Sequence, residues 1–187
     1  MIPLKGVEMY PIDVVVKFDQ YLFKNDMTFE AIVIGGAALS ILGIISRQTQ
    51  DVDVLDPEIP DDIFQAAKLF AKEEGIAETS LKENWLNHGP ESLRKYLRQD
   101  WRMRLQPLFK GNAITFTTLG RVDLIGTKIL AYCDRGTDLK DCLDLKPSPD
   151  EILEILPWVE QYDTNVDWPR YVRGQVEELA KRLGHGL

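Results

Sequence analysis

Two periods of apolar residues alternate along this 187-residue chain, and each change of period marks an element. Helical spacing from Ile12 to Lys24 predicts an amphipathic helix with Val15, Val16, Phe18, Leu22 and Phe23 inward, closed by the turn Asn25-Asp26-Met27-Thr28. The unbroken apolar run Ala31-Ile32-Val33-Ile34 suits a short buried strand, and Gly35-Gly36 turns it into a helix from about Ala37. A spacer of helical length, Ala37 to Gln50, leads to Asp51-Val52-Asp53 on the next strand. Asp56-Pro57 and Pro60 then break the chain, and Asp61-Asp62 open a helix to about Glu74 with Ile63, Phe64, Ala67, Leu69 and Phe70 inward.

Residues 76 to 112 are the least regular, with Asn87-His88-Gly89-Pro90 read as a turn, a short helix over Glu91 to Leu97 and a weak strand near Met103 to Leu108. Strict alternation from Ala113 to Thr118 predicts another strand. Asp123 opens a helix to Asp134 and Asp138 opens a second. Two more follow, Pro149 to Gln161, capped by Ser148 with Glu151 three residues on, and Pro169 to Leu183; Pro157 should kink or shorten the former. The division that follows is a core over residues 1–135 and a helical extension over 136–187 packed on it.

Composition narrows the functional classes. The net charge of −8 argues against a general nucleic-acid coat, because nonspecific affinity comes from Lys and Arg neutralising phosphates. The exception is the stretch Arg94, Lys95, Arg98, Arg102, Arg104 and Lys110 with Tyr96 and Trp101 interleaved. It suits a triphosphate or an RNA stem, or else a solvated surface whose aromatics turn inward, and the second reading is preferred. Cys133 and Cys142 lack metal-ligand spacing and read as buried thiols in a reducing compartment. No apolar stretch is long enough for a membrane span and the N-terminal residues lack an apolar signal core, so a cytoplasmic address with no membrane partner is expected.

The chemistry is concentrated at Gly35-Gly36 and Asp51-Val52-Asp53. Strand parity puts Asp51 and Asp53 on one face and the valines on the other, with the carboxylates roughly 7 Å apart at about 3.3 Å per residue. Such a pair can hold Mg²⁺ that itself grips a phosphate, while the glycine turn, the amides after it and Ser40 can receive phosphate. Downstream, Lys128 and Arg135 stand two helical turns apart on one face, and Asp138 and Asp141 share a face at the start of the following helix. Lys128 and Arg135 suit phosphate contacts or, beside those aspartates, ordinary salt bridges.

Strand, glycine turn, helix and DxD strand in this order resemble the polymerase-β-like nucleotidyltransferase superfamily. With Lys128-Ile-Leu-Ala-Tyr-Cys-Asp-Arg135 and Asp138-Leu-Lys-Asp141 added, the chain resembles nucleotidyltransferase-like proteins related to the abortive-infection type II nucleotidyltransferase toxins. The resemblance runs from about residue 30 to the C-terminus. It implies an α+β fold, a mixed nucleotidyltransferase sheet with flanking helices and a helical extension. Asp51 and Asp53 would be metal ligands for Mg²⁺ or Mn²⁺. Gly35, Gly36, Ser40, Lys128 and Arg135 would bind an NTP. Lys128 would also neutralise charge on the leaving pyrophosphate, and Asp141 would orient a basic group or accept the acceptor's proton. An RNA or protein acceptor and a cognate partner protein are further implications. The chain departs from the superfamily's pattern at one point, because Ala113 to Thr118 carries no third carboxylate. Asp100, Glu83 and Asp123 are the candidate substitutes. Two alternatives to an active transferase follow, a silent nucleotide-binding member acting as partner or regulator and a module that only binds protein.

Overall fold

The computed structural model describes residues 10–46, 49, 51–76, 81–89 and 91–186. It falls into two units, one comprising residues up to Arg94 with Leu105–Thr118, the other Lys95–Arg104 with Leu119 onward.

The first unit is built on a five-stranded mixed sheet. Helix α1 (Pro11–Lys24) is followed by β1 (Phe29–Ile34), α2 (Gly35–Ile41), β2 (Val52–Asp56), α3 (Asp61–Ile76) and β3 (Leu86–His88). After α4 (Glu91–Tyr96) and a 3-10 turn (Trp101–Arg104) come β4 (Gln106–Lys110) and β5 (Ile114–Thr118). The strand order is β3-β2-β1-β5-β4. β1 runs antiparallel to β2 and parallel to β5, β2 runs parallel to β3, and β4 runs antiparallel to β5. This is an α+β architecture of the expected kind.

Parity sorts the sheet into two faces. Phe29, Ala31 and Val33 of β1, Val52 and Val54 of β2, and Ile114 and Phe116 of β5 enter one core with Val14, Val15, Phe18 and Leu22 of α1 and Ile63, Ala67 and Phe70 of α3. Trp85 closes that core, its ring 5.1 Å from Phe18 and 5.9 Å from Phe70, and its indole N–H donates to the Ala67 carbonyl at 3.2 Å. Asp19, also buried, accepts from the backbone N–H groups of Asn112, Ala113 and Ile114 at 3.1, 2.9 and 2.8 Å. It thereby pins the β4–β5 hairpin to α1, which satisfies a buried carboxylate without a cation.

Several expectations change. Val16 and Phe23 are exposed rather than inward, because the buried stripe follows Val14, Val15, Phe18 and Leu22 and each lies one residue, about 100°, beyond it. Leu69 is exposed for the same reason, with Ala66 and Ala71 in the core instead. Helix α2 starts at Gly35 and lasts only 7 residues. Gly43, at φ +71°, follows its end, so the spacer to Gln50 is not one helix. Asn87 and His88, read as a turn, belong to β3, whose 3 residues are too few to print a period and whose identity comes from pairing with β2. β4 lies further on than the weak strand expected over Met103 to Leu108, and Met103 is instead an exposed residue of the 3-10 turn.

The second unit is helical, with α5 (Arg121–Arg135), α6 (Leu139–Leu145), α7 (Pro149–Glu160) and α8 (Trp168–Arg182). α5 packs on α6, α7 and α8 and clusters with them rather than with the sheet. Ser148 caps α7 as expected: its hydroxyl accepts from Glu151 N–H at 3.2 Å, and the Glu151 carboxylate accepts from Ser148 N–H at 2.9 Å. Burial works to raise the Glu151 pKa, but the Arg121 guanidinium and the Ser148 bonds outweigh it and hold the carboxyl below its usual range. Pro157 is accommodated inside α7, which runs on to Glu160.

Candidate active site

β1 ends at Ile34, and the chain leaves it through Gly35 at φ +77°. That conformation strains any residue with a side chain. A Cβ on Gly35 would also stand 2.7 Å from Oδ2 of Asp53, so the carboxylate would have to shift to admit it. The Asp53 carboxylate therefore lies directly over the glycine backbone. The ladder between β1 and β2 explains this placement, because Ile34 pairs with Asp53. Val52 and Val54 are buried in the core, so Asp53 projects from the opposite face, where it is partly exposed.

Asp51 sits one residue before β2, with its Oδ1 4.0 Å from the Lys82 ammonium. A register shift between Ile32 and Val33 pairs Ile32 with Asp56, bringing Asp56 to the same face as Asp53. Asp56 Oδ1 accepts from Arg94 Nη1 at 2.6 Å. Beside this row the sheet bears a cavity of about 390 Å³ lined by Glu30, Ile32, Asp56, Pro57, Thr115 and Thr117. β5 thus offers this face two hydroxyls where a third carboxylate would complete the superfamily pattern.

The donor set suits a hard cation. Mg²⁺ or Mn²⁺ is commonly held by one or two carboxylates and completes its shell with waters and substrate phosphates. Asp51 and Asp53 are the carboxylates that could serve in this way, and a lysine ammonium stands 4.0 Å from Asp51 as a cation. Among the described residues no group of three or more His, Cys, Asp or Glu side chains is placed to hold a metal ion.

A family model described as "nucleotidyltransferase of unknown function (DUF6036)" matches residues 12–147. The chain belongs to that family. No curated protein and no solved structure matches it. The family match spans the glycine turn, the DxD pair and the Lys128 to Asp141 segment of this nucleotidyltransferase family member.

In the helical unit, Lys128 is buried, with Asp141 Oδ2 2.7 Å and Asp138 Oδ2 3.3 Å from its ammonium. The N-terminal end of α6 closes over Lys128, carrying both aspartates to the lysine. Asp141, itself 1 % exposed, is buried against the Lys128 ammonium. Arg135 is exposed in the last turn of α5, which ends at Gly136 in the left-handed region. Ser40 lies near the far end of α2, about 7.5 Å of helix rise beyond Gly35, so it is not adjacent to the turn.

The candidate third carboxylates are engaged elsewhere or exposed. Asp123 is buried and takes Arg104 in a two-pronged bond at 2.7 and 3.0 Å; Glu83 lies 3.7 Å from Lys72; Asp100 is exposed beside the 3-10 turn. The basic stretch is largely committed to ion pairs: Arg94 to Asp56, Arg98 to Glu154 at 2.9 Å, Arg104 to Asp123, with Arg102 stacked on the buried Trp101 at 4.4 Å. Tyr96 is exposed, although its carbonyl accepts from the Trp158 indole N–H. Cys133 and Cys142 are free and buried, and burial pushes both thiols up to about 12.

Sequence reasoning missed Lys82, the Arg94–Asp56 pair and Asp19. None has a local signal, since each meets its partner only through pairing of distant segments.

Proposed function

We propose that this family member transfers a nucleoside monophosphate from an NTP to an acceptor hydroxyl of RNA or protein, with release of pyrophosphate. The single observation that carries the reading is the Asp53 carboxylate laid over Gly35 at the end of β1, with Asp51 just before the same strand as Asp53. Asp51 and Asp53 would hold Mg²⁺ or Mn²⁺ beside the turn at Gly35 and Gly36. When bound, the metal would neutralise phosphate charge and activate the attacking oxygen. Positive charge near the two carboxylates would offset charge on the departing pyrophosphate. Lys128, buried between two carboxylates of the helical unit, is given an ordering role there and no nucleotide contact.

A silent member that binds nucleotide and serves a partner in a toxin–antitoxin-like pair is the rival reading. It is favoured by Thr115 and Thr117 standing where a third carboxylate is expected. The two separate when the protein is incubated with each α-labelled NTP, Mg²⁺ and either total RNA or lysate. Label on RNA or protein that disappears in Asp53→Asn supports transfer. Saturable NTP binding with no label on any acceptor supports the silent member.

A further inference from the structure

We infer that Lys82 is a nucleotide-phosphate contact of this site: its ammonium, 4.0 Å from Asp51 Oδ1, gives that carboxylate up to an incoming cation and turns to the phosphates arriving with it. The inference rests on the nucleotidyl-transfer reading.

The backbone around Lys82 is fixed while its side chain is not. Trp85, in the core, donates its backbone N–H to the Lys82 carbonyl at 3.1 Å, and the Trp85 carbonyl accepts from Val52 N–H at 2.6 Å. The turn carrying Lys82 is thereby tied to the residue between the two aspartates. Its side chain is 56 % exposed, that of Asp51 45 %, and their 4.0 Å separation is at the outer edge of an ion pair. An exposed, loose pair of this kind holds little free energy, so a competing cation displaces it readily.

Arg94 marks the contrast. It binds Asp56 at 2.6 Å through a charge-assisted bond, whereas Lys82 is a point charge on a flexible four-carbon stem. Electrostatics requires such a group. Asp53, Asp56 and Glu30 lie along one face of the sheet with Asp51 just before β2, and a polyphosphate approaching them is repelled unless positive charge accompanies it.

The test compares Lys82→Met, Lys82→Arg and, as a charge control, Lys72→Met, which removes an exposed cation paired with Glu83. Unchanged melting temperatures establish that each variant folds. Mn²⁺ titrated alone, followed by its electron paramagnetic resonance signal, should bind several-fold tighter to Lys82→Met, because the competing ammonium is gone. A non-hydrolysable NTP analogue with Mg²⁺ should bind that variant about tenfold more weakly, through loss of one charge-assisted contact. Lys82→Arg should restore most of the analogue affinity, and Lys72→Met should change neither measurement. Analogue affinity unchanged in Lys82→Met, or equally reduced in Lys72→Met, overturns the inference while leaving nucleotide binding intact. A wild type that binds no analogue removes the nucleotide reading itself, and the inference with it.

Discussion

The carboxylate pair at Asp51 and Asp53 and the pair at Asp138 and Asp141 have similar sequence signatures and opposite environments. In the first unit Asp53 lies over Gly35 on one face of the sheet, and its neighbour Asp51 stands 4.0 Å from an exposed lysine. In the helical unit Asp141 is 1 % exposed and, with Asp138, encloses the buried Lys128. Spacing determines which side chains share a face; what covers that face is decided by segments elsewhere in the chain. The first pair keeps its capacity to bind something that arrives, while the second has spent most of its charge internally. An open pair is expected to tune ligand binding and a closed one to tune folding.

Lys128→Ala should break this contrast most sharply. Removing the cation leaves two carboxylates, one fully buried, without their counter-charge, and uncompensated burial of this kind costs about 3–5 kcal/mol. Denaturant melts should show the loss. If Lys128→Ala melts like the wild type but loses NTP affinity, the helical constellation is an open ligand site after all, and the comparison fails.

Gly35→Ala should have the next largest effect, at the open pair. A left-handed φ costs a residue with a side chain about 1–2 kcal/mol, and the new methyl would collide with Asp53 Oδ2 at 2.7 Å. The carboxylate must move to admit it. Melting temperature should therefore fall modestly, while Mn²⁺ affinity falls further than the stability loss explains. A stable variant with undiminished Mn²⁺ binding would mean that the glycine is a turn residue and nothing more.

The contrast also explains how far the sequence could be read. The sheet face of the site was legible because Val52 and Val54 alternate with acidic residues and because Gly35 must turn β1 outward. The capping box at Ser148 and Glu151 was equally local. Burial of Lys128 was not legible, since seven-residue spacing says that Lys128 and Arg135 share a face but not that α6 closes over one and leaves the other exposed. β3 was missed for a related reason: Asn87 and His88 have turn-like chemistry, and only the parallel pairing with β2 makes them a strand. Asp19 reads as an ordinary polar residue on a helix until the β4–β5 hairpin, over 90 residues away, presents three N–H groups to it.

The smallest expected change in stability belongs to the pair with the largest expected effect on ligand binding. Asp51→Asn with Asp53→Asn keeps the shape of both side chains and removes their charge at partly exposed positions, where substitutions away from special features usually shift stability by about 0.5 kcal/mol or less. A hard divalent cation, however, is held by that charge. In the wild type, Mg²⁺ or Mn²⁺ with NTP should raise the melting temperature, because a ligand that binds only the folded state stabilises it by mass action. In the double variant the shift should vanish although the ligand-free melting temperature barely moves. A variant that unfolds early without ligand would assign the carboxylates a structural role like that of Asp19. One that keeps the full ligand-induced shift would place the metal elsewhere and leave the two aspartates as an acidic patch on the edge of a strand.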